Sequence, residues 1–100
     1  MKLVRDYIPD IIKEDGKTCV SRVCKNPEEF RERLKDKMVE ETDEFLENPS
    51  YEEAADMYEV LRALANLYGL SMKTIYETAD EKRLDRGGFD DGIILERVDT

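Results

Sequence analysis

The chain has 100 residues, of which 41% are charged and 40% hydrophobic, and its formal net charge at pH 7 is −9. This length suits one domain with a modest core, so we expect a single domain over residues 1–100. The acidic balance argues against nonspecific binding to nucleic acids or to anionic membrane surfaces, because a basic surface is what displaces counterions from phosphates.

The residue composition also excludes some kinds of catalytic site and disfavours some kinds of metal site. The sequence has no histidine and two cysteines, which excludes histidine-dependent nucleophile pairs and disfavours a structural zinc site. No apolar run approaches the roughly 20 residues of a membrane span, and the first residues lack the apolar region of a signal peptide. We therefore expect a protein of the cytoplasm.

The N-terminal half is predicted to contain a short helix, a short strand and a long helix. Pro9 can open a helix that continues to Asp15. Residues 17–23 alternate and include β-branched side chains, a pattern typical of a strand. Asn26 is predicted to cap the second helix, which runs to about Glu47.

The C-terminal half predicts two more helices and a second strand. Ser50 caps a helix that runs to about Tyr68, and Ser71 caps another that ends at Arg86. Residues 93–98 are strand-like and could pair with the first strand as a short β-ribbon. The short connections over residues 47–50 and 69–70 predict that the second, third and fourth helices pack as antiparallel neighbours, the second and third as a hairpin. The fold class is thus all-α, with a helical-hairpin core that we expect dimerisation to complete.

Both helices of this hairpin carry acids within their apolar faces. The apolar stripe of the second helix is Phe30, Leu34, Met38 and Phe45. At about 100° per residue, Glu41 falls near the centre of this stripe and Glu44 at its edge. The stripe of the third helix is Met57, Val60, Leu64 and Leu67. Extending that stripe towards the N-terminus reaches Glu53, with Asp56 on its flank.

Carboxylates on a core face cost several kcal/mol unless they are paired or bind a metal. Mg²⁺ prefers oxygen ligands and is usually held jointly by carboxylates and substrate phosphates. The pattern therefore indicates a Mg²⁺ site, for which Mn²⁺ is a substitute. Two alternatives stay open: the acids lie on a solvated surface, or Glu53 belongs to a capping box with Ser50.

Several motifs resemble one family. Residues 40–44 (EETDE) match EExxE and residues 53–56 (EAAD) match ExxD, a pair similar to the signature of the MazG-like all-α nucleoside triphosphate pyrophosphohydrolases. Residues 2–9 (KLVRDYIP), 52–61 (EEAADMYEVL) and 86–89 (RGGF) resemble a branch of predicted house-cleaning pyrophosphatases with a KLVRDKIP opening, related to phosphoribosyl-ATP pyrophosphohydrolase. The gap between the two acidic motifs is shorter here than is common in the superfamily, and a tyrosine replaces the second lysine of the opening.

This resemblance implies a helical bundle that hydrolyses a nucleoside triphosphate, non-canonical or surplus, to the monophosphate and pyrophosphate with Mg²⁺. The ligand positions of the family fall on Glu41, Glu44, Glu53 and Asp56. The first glutamate of EExxE falls on Glu40, for which we expect an outer-shell or water-orienting role.

Five further residues are candidates for substrate binding. Lys2, Arg5 and Asp6 are the polar residues of the opening, and only the resemblance implicates them. Lys82 and Arg86 extend the apolar face of the fourth helix, although cations in a last helical turn also suit the helix dipole. The alternatives to an enzyme are a helical module that binds nucleotide or metal without turnover, and a purely structural helical dimer.

Overall fold

The computed structural model describes residues 1–99, in which the regular structure consists of α-helices alone. In chain order they are α1 (Ile8–Glu14), α2 (Pro27–Glu47), α3 (Tyr51–Leu67) and α4 (Met72–Arg86). This confirms the all-α class. The chain divides into two compact units, Met1–Gly69 and the part from Leu70 onward. The single domain expected over residues 1–100 stays a prediction.

The three longer helices begin at the predicted caps. In each, the cap's side-chain oxygen accepts a hydrogen bond from the backbone N–H three residues later: Asn26 from Glu29 (2.8 Å), Ser50 from Glu53 (3.2 Å) and Ser71 from Thr74 (3.3 Å). These bonds satisfy backbone donors that have no partner inside the helix. Local sequence therefore determines where these helices start. Among residues 1–99, none of the helices combines the length and the apolar character needed to cross a membrane.

The predicted β-ribbon is wrong for the described residues. Segments 17–23 and 93–98 form no strand within residues 1–99. A strand needs a neighbour for its backbone hydrogen bonds and a surface that covers its apolar face. Neither requirement is met here, since Val20 and Val23 are fully or almost fully exposed and Ile93 is 84% exposed. Alternation in these segments therefore does not indicate a strand.

Within the first unit, α2 and α3 pack against each other as the predicted hairpin, joined by residues 48–50. The buried apolar side chains of this unit are Leu34, Val60 and Ala65. Many other apolar side chains stay accessible, among them Leu46 at 69% and Val39 at 62%. The interior of the single chain is therefore small, and its completion by dimerisation stays a prediction.

The residues before α1 lie along the hairpin. Arg33 on α2 donates a hydrogen bond to the backbone carbonyl of Met1 at 3.1 Å, and Lys2 Nζ lies 3.6 Å from Glu40 Oε1. Leu3, the next residue, is partly buried. These contacts bring Arg5 beside α3, where the acidic residues of that helix lie.

Candidate metal centre

Three carboxylates converge where the hairpin packs near its connection. Glu41 on α2 and Glu53 and Asp56 on α3 each offer one oxygen atom, and these atoms all lie within 4.8 Å of one another. Glu41 sits in the buried stripe of α2, while Glu53 and Asp56 are three residues apart on one face of α3. We call these three residues the acidic cluster. Their convergence on facing helices is the arrangement that the two apolar stripes predict.

Two oxygens of the acidic cluster are buried without a partner. Glu41 is 6% exposed, and its Oε2 atom accepts no hydrogen bond within the described part of the chain. The same holds for Oε2 of Glu53. A buried polar atom without a partner costs about 1–3 kcal/mol, and more when it carries charge. A bound cation would offset this cost, so the cluster has the chemistry of a cation site.

The outer sides of the cluster carry counter-charges. Lys37 Nζ lies 3.3 Å from Glu41 Oε1, and Arg5 Nη2 donates a hydrogen bond to Asp56 Oδ1 at 2.7 Å. Glu53 has no ion pair among residues 1–99. Three carboxylates against two cations leave net negative charge at the centre, which favours a further cation.

Burial raises the pKa of Glu41 above the ordinary value of 4.5. The Lys37 ammonium opposes this shift, while the nearby Glu44 carboxylate adds to it, and the pKa of Glu41 stays raised. The fold therefore holds the Glu41 carboxyl in a place that disfavours its charged form. The free energy of unfolding of the metal-free protein should depend on this group.

Glu41→Gln should stabilise the metal-free protein at neutral pH, because glutamine keeps the shape and removes the charge. Removal of a buried charge that its surroundings disfavour should add about 1 kcal/mol, or roughly 4–8 °C in the melting temperature of a domain this small. A raised native pKa stabilises the fold below the unfolded pKa, and that contribution is lost as pH rises through the native pKa. The advantage of glutamine should therefore shrink as the pH falls towards about 4.5.

Thermal melts in the presence of a chelator measure this difference at both pH values. Glu47→Gln is the matched control, since Glu47 is an exposed acid on the same helix. A Glu41→Gln variant that melts lower than the wild type at neutral pH would contradict a disfavoured charge at Glu41. A difference in melting temperature that is the same at both pH values would also contradict it.

Two other acids of the EExxE motif lie outside the acidic cluster. Glu44 is exposed, although it is close enough to affect the pKa of Glu41. Glu40 is half-buried and lies 3.6 Å from both Lys2 Nζ and Lys37 Nζ. The metal-ligand role of Glu44 and the outer role of Glu40 stay predictions.

The candidate substrate-binding residues are divided between the two units. In the first unit Lys2 contacts Glu40, Arg5 contacts Asp56, and Asp6 is exposed. In the second unit Lys82 and Arg86 are exposed, and α4 contains no buried residue in the described chain. The inward face expected for these two cations stays a prediction. Their contact with substrate stays a prediction.

Sequence reasoning did not single out Lys37. Its spacing of three from Glu40 and four from Glu41 is the helical spacing of ion pairs and could have identified it. Glu53 makes one of the two hydrogen bonds of the capping box that the sequence left open as an alternative. Its N–H donates to Ser50 Oγ at 3.2 Å, but the return bond from its carboxylate to the Ser50 N–H is absent from residues 1–99. The Glu53 side chain is thus left for the acidic cluster.

The relation to the MazG-like family that residues 40–44 and 53–56 suggest stays a prediction. The chemistry of the acidic cluster is the observation that bears on function. No protein-family model, no curated protein and no solved structure matches the chain.

Proposed function

We propose that the chain is a Mg²⁺-dependent nucleoside triphosphate pyrophosphohydrolase of the MazG-like type. It would hydrolyse the anhydride between the α and β phosphates and release a nucleoside monophosphate and pyrophosphate. One observation supports this most directly: Glu41 and Glu53 belong to a cluster of three carboxylates, and each has a buried Oε2 atom without a hydrogen-bond partner in the described chain.

The donor set of the cluster fits Mg²⁺. All three side chains offer carboxylate oxygens, which are the hard ligands that Mg²⁺ and Mn²⁺ take. A magnesium ion bound there would neutralise charge on the phosphates and lower the pKa of an attacking water. Glu41, Glu53 and Asp56 would hold the ion. Glu44 would become a further ligand if its exposed side chain adopted another rotamer.

The remaining residues near the cluster have roles that follow from their positions. Glu40 shares the Lys37 ammonium with Glu41 and would accept a hydrogen bond from the attacking water, which would orient that water towards phosphorus. Water would add its oxygen to a phosphorus of the α–β anhydride while the bond to the bridging oxygen breaks. The bridging oxygen would leave with the other product, and the proton of the water would pass to Glu40 or to solvent. Lys2 and Arg5, on the segment beside the hairpin, would face the negative charge of the phosphates.

A structural role is the second candidate, and the two ion pairs at the cluster favour it. Arg5 with Asp56 and Lys37 with Glu41 neutralise two of the three acids without any ligand. Such a network could join the N-terminal segment to the hairpin. It leaves Glu53 without a counter-charge, however, and this supports the cation site over the purely structural role.

The test is a screen of canonical and modified nucleoside triphosphates for release of pyrophosphate and monophosphate, with Mg²⁺ and with a chelator. We expect Mg²⁺-dependent release from at least one substrate, and none from the Glu41→Gln variant. Binding of nucleotide without release would indicate the non-catalytic module. Neither binding nor release, with Mg²⁺ or with Mn²⁺, would leave the structural role.

A further inference from the structure

The two cations at the acidic cluster hold their carboxylates in different ways. Lys37 is 18% exposed, belongs to α2 itself and contacts Oε1 of Glu41, while Oε2 of Glu41 is buried without a partner in the described chain. Arg5 is 56% exposed, belongs to the segment before α1 and reaches Asp56 across 51 positions of sequence. Lys37 is thus a fixed counter-charge, whereas the side chain of Arg5 is free to turn away into solvent.

Arg5 and a divalent cation compete for the same carboxylate. One oxygen of Asp56 lies within 4.8 Å of the ligand atoms of Glu41 and Glu53, and its Oδ1 accepts the short bond from Arg5. An ion in the cluster places Asp56 between a doubly charged ion and a guanidinium, which repel each other. An exposed pair such as Arg5 with Asp56 contributes little net stability, so it is the contact that gives way.

A guanidinium released from Asp56 has a natural ligand in the proposed substrate. Arginine binds phosphate through two parallel hydrogen bonds, and the phosphates would lie next to the ion at the cluster. Resting on the proposed function, we propose that Arg5 is a displaceable counter-cation. It neutralises Asp56 while the cluster is free of metal, and it turns to the phosphate chain when the ion and its phosphates arrive.

This exchange couples the binding of metal and phosphate. The ion releases Arg5 for the phosphates, and the phosphates remove Arg5 from the carboxylate that the ion needs. By linkage, each ligand then increases the affinity for the other by the same factor. Arg5 makes the cluster a weaker site for a bare ion and a stronger site for an ion that carries a phosphate chain.

The experiment compares two probes, Mn²⁺ alone and the preformed complex of Mn²⁺ with inorganic tripolyphosphate, by calorimetric titration of the full chain. Arg5→Met should bind Mn²⁺ alone about three- to fivefold more tightly, the scale of an exposed ion pair. It should bind the tripolyphosphate complex about three- to tenfold more weakly, because a charge-assisted contact to phosphate is lost. The opposite signs distinguish exchange from a simple role in folding.

Arg62→Met is the matched control. Arg62 is 54% exposed, pairs with Glu59 at 3.5 Å on α3 and contacts the Tyr58 ring, so its removal takes one charge from the same unit without touching the cluster. Both of its affinities should equal those of the wild type, and circular dichroism should show that both variants are folded.

Two results would overturn the exchange. In the first, Arg5→Met binds Mn²⁺ alone no more tightly than the wild type or Arg62→Met does. In the second, both probes shift in the same direction. If the wild type hydrolyses a nucleotide and Arg5→Met gives either result, the exchange alone is refuted. A wild type that does not bind Mn²⁺ refutes the exchange and the proposed function together.

Discussion

Glu41→Gln, Glu53→Gln and Asp56→Asn should each lower Mg²⁺-dependent turnover by at least about 100-fold, the usual effect of removing a group that stabilises transition-state charge. Gln and Asn preserve the shape of each side chain but not the charge that holds a cation. The hairpin should stay folded, since its buried apolar side chains, Leu34, Val60 and Ala65, are unchanged. Loss of turnover with an unchanged helical spectrum is therefore the expected combination.

Steady-state assays of pyrophosphate release across a range of Mg²⁺ concentrations measure this effect. Glu47→Gln on α2 and Glu59→Gln on α3 are the controls, because the first is exposed and the second pairs with Arg62 outside the cluster. Both should retain nearly the full rate. If either control impairs turnover as much as the three cluster variants do, the reaction takes place elsewhere on the molecule.

The starts of the helices could be predicted because their causes are local. Asn26, Ser50 and Ser71 each cap a helix through a bond to the N–H three residues on, so a few adjacent letters contain the whole interaction. Whether a β-ribbon forms could not be predicted in the same way. Alternation in residues 17–23 describes one segment, whereas a strand depends on a second segment that local sequence does not specify.

The acidic cluster is an intermediate case. Helical spacing placed Glu41 on one inward face and Glu53 and Asp56 on the other, and the short connection implied that those faces meet. The same spacing put Glu44 at the edge of its stripe, where a few tens of degrees decide between cluster and solvent. The bond between Arg5 and Asp56 joins residues 51 positions apart, and no periodicity in the sequence indicates it.

Leu34→Ala should lower the free energy of unfolding by about 2–4 kcal/mol, through lost burial and the cavity that remains. Leu34 is 2% exposed, and the buried apolar set of the described chain is small, so few neighbours can move to fill the space. Urea unfolding followed by helical circular dichroism measures the loss. Leu46→Ala is the matched control, the same substitution on the same helix at a side chain that is 69% exposed, and it should cost below about 0.5 kcal/mol.

The Leu34→Ala variant also tests whether Mg²⁺ binds at the acidic cluster. Leu34 lies two helical turns, about 10 Å, before Glu41, a separation at which effects on stability usually add. An ion that binds only the folded cluster should therefore raise the stability of Leu34→Ala as much as that of the wild type, and leave Glu41→Gln unchanged. A Leu34→Ala variant that loses less than about 1 kcal/mol would show that packing of α2 on α3 does not hold the cluster together. Equal stabilisation of Glu41→Gln by Mg²⁺ would place the ion at another site.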